Sequence, residues 1–260
     1  MKQLILIILI LVLIAVPSLA QGPALKTPPG MVWIPGGTFM MGAEPGEGYE
    51  VCRKYRGDSC DREWFSDESP RHAVTVDGFY MDQTEVTQAE FERVMGTNPS
   101  QFKEASRPVE KVAWAEAKAY CEKLGKRLPT EAEWEKAARG GSTARYYWGD
   151  EPKGGYANFC DTNCEFKQRV KAADDGYATT APVGSYRANE YGLYDMAGNV
   201  WEWIADWYDE KYYQQDIIEN PKGPSSGQSK VLRGGSWGGN PNNMRSANRN
   251  WNDPSRRYGL

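Results

Sequence analysis

Helical periodicity in this chain of 260 residues is confined to three short stretches between Thr87 and Gly140. Thr87 and Glu90 form a capping box, with Val86 and Phe91 placed as a hydrophobic staple, and the first stretch stops at Gly96. The second covers Trp114 to Leu124. Its Trp114, Ala117, Cys121 and Leu124 share one face that is expected to be buried, and Gly125 ends it. The third starts at Thr130, again boxed to Glu133, and reaches Arg139 before Gly140-Gly141. On either side the chain reads as short strands and loops. Met31 to Ile34 is apolar and runs into Pro35-Gly36-Gly37, residues 43–70 read as a long loop, His72 to Tyr80 alternates as one strand, and Val231 to Trp237 is a strand entering a Gly turn. Beyond Tyr146 the helical signal fades. With 27 glycines and 10 tryptophans, the expectation is an α+β chain, rich in loops, poor in regular secondary structure and anchored by buried aromatics.

The first twenty residues stand outside that pattern. Lys2 precedes an unbroken apolar run from Leu4 to Val16, and Ser18-Leu19-Ala20 offers a small-residue cleavage site. These features predict a secretory signal peptide over residues 1–20, cut before Gln21. The alternative is an uncleaved anchor, for which the run is short. Residues 21–30 read as a linker and 31–260 as one domain, with no Pro/Ser-rich break inside it. Without Lys2 the chain carries 30 basic and 35 acidic residues. That balance gives no overall attraction to nucleic acid or anionic lipid, and the expected setting is secreted or periplasmic.

Five cysteines remain: Cys52, Cys60, Cys121, Cys160 and Cys164. An exported protein keeps disulfides, and the default pairing is local, Cys52 with Cys60 and Cys160 with Cys164, although four cysteines allow three connectivities. A metal site at Cys160/Cys164 is the rival reading, poorly supplied with further ligands because His72 is the only histidine. The same scarcity excludes a two-histidine metal centre within this chain. There is no P-loop, no dinucleotide fingerprint, no H-E-x-x-H and no G-x-S-x-G. A Ser-His-Asp triad would have to use His72, which sits on a predicted strand and reads as structural.

The order of motifs carries more information than any one of them. Met31-Val-Trp-Ile-Pro-Gly-Gly-Thr-Phe-Met-Met-Gly42 is followed by Glu68-Ser-Pro-Arg-His72, Val76-Asp-Gly-Phe-Tyr-Met-Asp82 and Glu85-Val-Thr87. Then come Gly125-Lys-Arg-Leu-Pro-Thr-Glu-Ala-Glu-Trp-Glu135, Ala137-Ala-Arg-Gly-Gly141, Tyr191-Gly-Leu-Tyr-Asp-Met-Ala-Gly-Asn-Val-Trp-Glu-Trp203 and Leu232-Arg-Gly-Gly-Ser-Trp237. In this order and spacing the chain resembles the formylglycine-generating (sulfatase-modifying factor) family from Met31 to Leu260. The resemblance implies a single domain with a C-type-lectin-like fold. It also implies two calcium sites: one from Asn158, the Phe159 carbonyl, Asp175 and the Tyr177 carbonyl, the other from the Asp195 and Glu202 side chains with the Gly198 and Val200 carbonyls. Calcium takes such oxygen ligands. Asp161 and Asp174 either add charge to the first site or are loop acids.

The resemblance breaks where the family's oxidase does its chemistry. That enzyme places two cysteines after the Gly-Gly-Ser turn, which hold copper(I) as thiolates. Here the run is Gly234-Gly-Ser-Trp-Gly-Gly-Asn-Pro-Asn-Asn-Met-Arg245, and the two positions are Gly239 and Met244. Glycine offers no ligand atom and methionine one thioether, so no copper is expected. Ser236 and Trp201 match neighbours of the family's catalytic site, and a Ser236 nucleophile would lack a base. The family also continues past Gly259-Leu260, often to a cysteine that pairs at the position of Cys121. Cys121 is therefore either an orphan of a truncated domain or a buried thiol. The leading expectation is a calcium-stabilised, exported, non-oxidase domain that binds a protein, peptide or glycan. The alternatives are a formylglycine-generating oxidase, or a relative that assists iron-dependent chemistry with a second domain.

Overall fold

A computed structural model describes residues 27–167 and 169–257. The proposed signal peptide and the final three residues lie outside the described residues. Four short strands open the domain: β1 (Met31–Ile34), β2 (Gly37–Met41), β3 (His72–Val76) and β4 (Phe79–Asp82). They pair antiparallel as β1 with β4 and β2 with β3, in registers running Met31↔Asp82 to Ile34↔Phe79 and Gly37↔Val76 to Met41↔His72. The single strand expected from His72 to Tyr80 is thus two, broken at Asp77-Gly78 where the chain changes partner. The break is steric in origin. A Cβ on Gly78 would lie 2.3 Å from the Trp33 ring, and one on Gly36 would lie 2.7 Å from the Gly78 nitrogen.

Helix α1 (Glu47–Arg56) lies between β2 and β3, and α2 (Gln88–Met95), α3 (Trp114–Lys123) and α4 (Glu131–Arg139) follow β4. Helix α1 corrects the reading of residues 43–70 as loop throughout. It buries only Gly48, Val51 and Cys52, so apolar periodicity does not mark it. Its signals are polar: Glu47 and Glu50 in the first turn, Arg53, Lys54 and Arg56 in the last, which suit the helix dipole. A disulfide from Cys52 to Cys60 clips its end. Helices α2 and α4 start where their boxes put them, with Thr87/Glu90 and Thr130/Glu133 bonded reciprocally, and stop at left-handed Gly96 and Gly140. Helix α3 departs from expectation. Only Tyr120 is fully buried, Trp114 and Cys121 are half-buried and Leu124 is exposed; Ala117, Tyr120 and Cys121 front a cavity instead of packed core.

The C-terminal half is loop until β5 (Glu202–Trp207), β6 (Lys230–Arg233) and β7 (Asn250–Asn252) form an antiparallel sheet in that order. Strand β6 ends earlier than predicted, at Gly234-Gly235, whose φ values of 93° and 84° turn the chain away. The architecture is α+β with small sheets and long loops. Trp134 of α4 sits in the main core with Ile34, Leu193, Met196, Ile204 and Val231.

Charged groups also fill the centre. Glu135 of α4 is fully buried; its Oε1 accepts from Arg139 Nη2 at 2.7 Å and from the Gly42 amide at 2.8 Å, and its Oε2 accepts from Arg233 Nη2. Arg249 donates to both oxygens of Glu131, at 2.8 and 3.0 Å. Arg245 donates to both oxygens of Glu68, at 2.7 and 2.6 Å. These pairs join α4, β6 and the C-terminal loops across long stretches of sequence.

Candidate functional site

The loop that carries Gly239 and Met244 follows β6. A Cβ on Gly235 would lie 2.9 Å from the Asn243 carbonyl, so the Gly-Gly turn packs directly on the 3-10 turn Pro241–Met244. Ser236 is buried, and its carbonyl accepts from the Gly239 amide at 2.8 Å. The Gly239 carbonyl accepts from the Cys160 amide at 2.9 Å, which seats the Cys160–Cys164 loop against it. Met244 is 1% exposed and packs with Tyr146, Ala157, Phe159 and Ala197, so its thioether is core filling. The Tyr146 hydroxyl donates to the Pro241 carbonyl at 3.0 Å and holds the turn down. Trp237 stacks on Phe166 at 5.8 Å and meets Phe102 edge-on at 5.4 Å, forming an aromatic wall beside the loop. His72 belongs elsewhere. It lies edge-on to Tyr213, with Nδ1 2.8 Å from the Pro70 carbonyl, as expected of a structural histidine.

The residues of the first calcium reading converge. Asp175 accepts from the Phe159 amide at 2.8 Å and the Tyr177 amide at 2.9 Å, so its carboxylate lies between the two residues whose carbonyls were assigned. Asn158 is fully buried; its Nδ2 donates to the Thr179 carbonyl and to Asn199 Oδ1, while its Oδ1 has no partner. Burial pushes the Asp175 carboxyl up to about 7, against the pull of the two amides. Asp161 is not a solvated loop acid. It is fully buried and accepts from the Asp175 and Asn163 amides. Asp174 binds Gly176 and Asn163 from the rim.

The second set is also gathered. Asp195 holds a left-handed φ of 57°, accepts from the Gly184 amide at 2.7 Å through Oδ2, and leaves Oδ1 buried without a partner. Burial lifts Asp195 to about 6 and Glu202, the first residue of β5, to about 8. Gly198 is obligatory: a Cβ there would lie 1.9 Å from the Asn158 carbonyl oxygen. Glu85, a carboxylate beside this set but bonded to Asn199 and Val200, needs the fold to be seen. It accepts from the Val200 amide at 3.0 Å and from Asn199 Nδ2 at 2.6 Å, and its pKa is raised by burial and then by Asp195 and Glu202. Orphaned oxygens on Asn158 and Asp195 and carboxylates lifted by desolvation fit a hard cation, which would supply the missing counter-charge. Among the described residues no three Asp, Glu, His or Cys side chains converge as a metal cluster, so any such ion would depend on the carbonyls.

A cavity of about 520 Å³ opens beside the second set, walled by Phe91, Tyr120, Cys121, Trp201, Trp203 and Leu232. Glu85 and Glu202 lie deep in the protein yet are half-exposed, because the surface they present is the cavity wall. Burial pushes the Cys121 thiol up to about 11, which keeps it protonated at neutral pH.

The sulfatase-modifying factor enzyme 1-like domain matches residues 17–259. The chain belongs to that family. A formylglycine-generating enzyme of Streptomyces coelicolor is 35% identical over 282 residues, covering 86% of this chain and 85% of that protein. Two solved structures share the sulfatase-modifying factor fold with it. Treponema denticola variable protein 1 has a TM-score of 0.69 at 26% identity, over 88% of this chain and 91% of that one. PvdO from Pseudomonas aeruginosa has 0.68 at 28%, over 87% and 89%. Two disulfides in this family member suit an oxidising, extracytoplasmic setting, and no described helix is long and apolar enough to cross a membrane.

Proposed function

We propose that this chain is an exported, calcium-stabilised sulfatase-modifying-factor-like domain that binds a protein, peptide or glycan and does not oxidise cysteine. One observation carries the reading: the loop after the Gly-Gly-Ser turn, where the resemblance places the copper-binding pair at Gly239 and Met244, holds no cysteine, and Met244 is packed into the core. No thiolate replaces them. Cys52, Cys60, Cys160 and Cys164 are bridged, and Cys121 faces the cavity as a neutral thiol. Retained Ser236 is buried, and half-buried Trp201 lines the cavity. Half-buried Phe166 and Phe102, packed on the buried Trp237, offer aromatic surface to an apolar side chain or a sugar face. Its partner is an extracytoplasmic molecule, with the leader removed after Ala20.

The second reading, an oxidase that converts a sulfatase cysteine to formylglycine, is favoured by the name of the Streptomyces relative. Copper(I) distinguishes the two. Titrated anaerobically against a copper-chelating dye, the chain should leave the metal with the dye, whereas the double variant Gly239→Cys/Met244→Cys should withdraw one equivalent. A Cβ at Gly239 needs only a shift of a few tenths of an ångström from the Ser236 carbonyl, now 3.0 Å from that position. Withdrawal of one copper(I) by the unaltered chain would overturn the non-oxidase reading.

A further inference from the structure

Asn199 stands between the two candidate calcium sites with every polar atom engaged. Its φ is 60° and it is fully buried. Its amide donates to the Asn158 carbonyl at 2.9 Å, and its carbonyl accepts from the Trp237 amide at 2.9 Å. Its Oδ1 accepts from Asn158 Nδ2 at 3.1 Å and from the Ala181 amide at 2.9 Å. Its Nδ2 donates to Glu85 Oε2 at 2.6 Å. In the calcium reading the residues on either side, Gly198 and Val200, would supply carbonyls to the second site, and Asn158 its Oδ1, with the adjoining Phe159 carbonyl, to the first. Asn158 and Gly198 are also joined as an isolated parallel bridge, at a separation that forbids any Cβ.

We propose that Asn199 couples the two sites, so that an ion bound at one tightens binding at the other. The inference rests on the calcium reading above. The Asn158 carboxamide is a rigid plane with one end on Asn199 and the other open toward the first ion. Fixing Oδ1 on an ion fixes Nδ2, and with it Asn199 Oδ1. The Asn199 backbone then sets the direction of the carbonyls before and after it. An ion at the first site therefore completes part of the ordering that the second would otherwise have to supply, and linkage makes the effect reciprocal. Glu85 is a positioning residue in this scheme. It holds Asn199 Nδ2 with one oxygen and the Val200 amide with the other, and so locks the peptide between them.

Calorimetric calcium titration of the mature chain tests this. The parent should bind two ions. Asp195→Ala should bind one, at the Asn158 site, with a Kd raised at least about fivefold, and Asp175→Ala should weaken the Asp195 site by the same factor. Asn199→Gly tolerates the positive φ and should bind two ions whose affinities no longer respond to the loss of the other site. Should that variant fail to fold, Glu85→Gln replaces it. Its amide turns a donor toward Asn199 Nδ2 or the Val200 N–H, and the affinity of each site should no longer respond to the loss of the other. Two ions that bind the parent independently, or coupling that survives both Asn199→Gly and Glu85→Gln, would overturn the coupling and leave the calcium reading standing. A parent that binds no calcium would overturn both.

Discussion

Glu68→Ala should destabilise the domain by about 3–5 kcal/mol, among the largest effects of any single substitution outside the hydrophobic core. Arg245 is fully buried and spends Nη1 and Nη2 on the two Glu68 oxygens, while its Nε donates to the Asn242 carbonyl at 3.1 Å. Asn248 Nδ2 adds a third bond to Glu68, at 2.9 Å. Removing the carboxylate leaves a guanidinium in the interior with only Glu47, 3.7 Å away and partly exposed, to balance it. Breaking one side of a buried pair is costly for that reason, more so than replacing both sides with apolar groups. Arg245 follows Met244, so the same pair anchors the loop that carries Gly239 and Met244. Urea unfolding measures the change. A loss below about 1 kcal/mol, the range of surface pairs, would show that water reaches this site.

Calcium removal should have the next largest effect. A ligand that binds only the folded state stabilises it by about 2.7 kcal/mol at a hundredfold above its dissociation constant. For a domain of this size that corresponds to a fall of roughly 5–10 °C in Tm on adding EGTA, reversed by excess calcium. Asp195→Ala should abolish the share due to the Asp195/Glu202 site and leave the remainder sensitive to chelation. Unchanged melting in EGTA, with no calcium found by elemental analysis, would remove both sites from the picture.

What the sequence disclosed and what it hid follow one physical division. Helices α2 and α4 were legible to the residue because each writes both of its ends locally, in a capping box and a following glycine. The disulfides were legible as local pairs for the same reason, eight and four residues apart. The break between β3 and β4 was not, because it depends on Gly78 meeting Trp33, and helix α1 was missed because its pattern is of charge. The apolar face of α3 is legible but its packing is not, since nothing in residues 114–124 tells a core from the cavity that Ala117, Tyr120 and Cys121 line. The buried arginines gave no local sign at all. Arg233, Arg245 and Arg249 look like surface residues until Glu68, Glu131 and Glu135 are brought to them across about a hundred residues or more. The candidate calcium ligands came through resemblance, residue by residue, but Glu85, whose partners lie 114 and 115 positions away, needed the fold.

The most direct measurement is the chemistry itself. The mature chain, supplied with copper(I) and oxygen, is incubated with a Cys-x-Pro-x-Arg peptide, and the peptide mass is followed for conversion of the thiol to the aldehyde. The oxidase needs two thiolates on one loop to hold copper while the substrate thiol binds. Here that loop offers Gly239 and a core-packed Met244, with the non-cysteine run Asn240-Pro241-Asn242-Asn243 between them. The expected result is an unchanged peptide. Aldehyde product formed by the unaltered chain, and lost on copper chelation, would contradict the binding-domain reading and make this family member an oxidase.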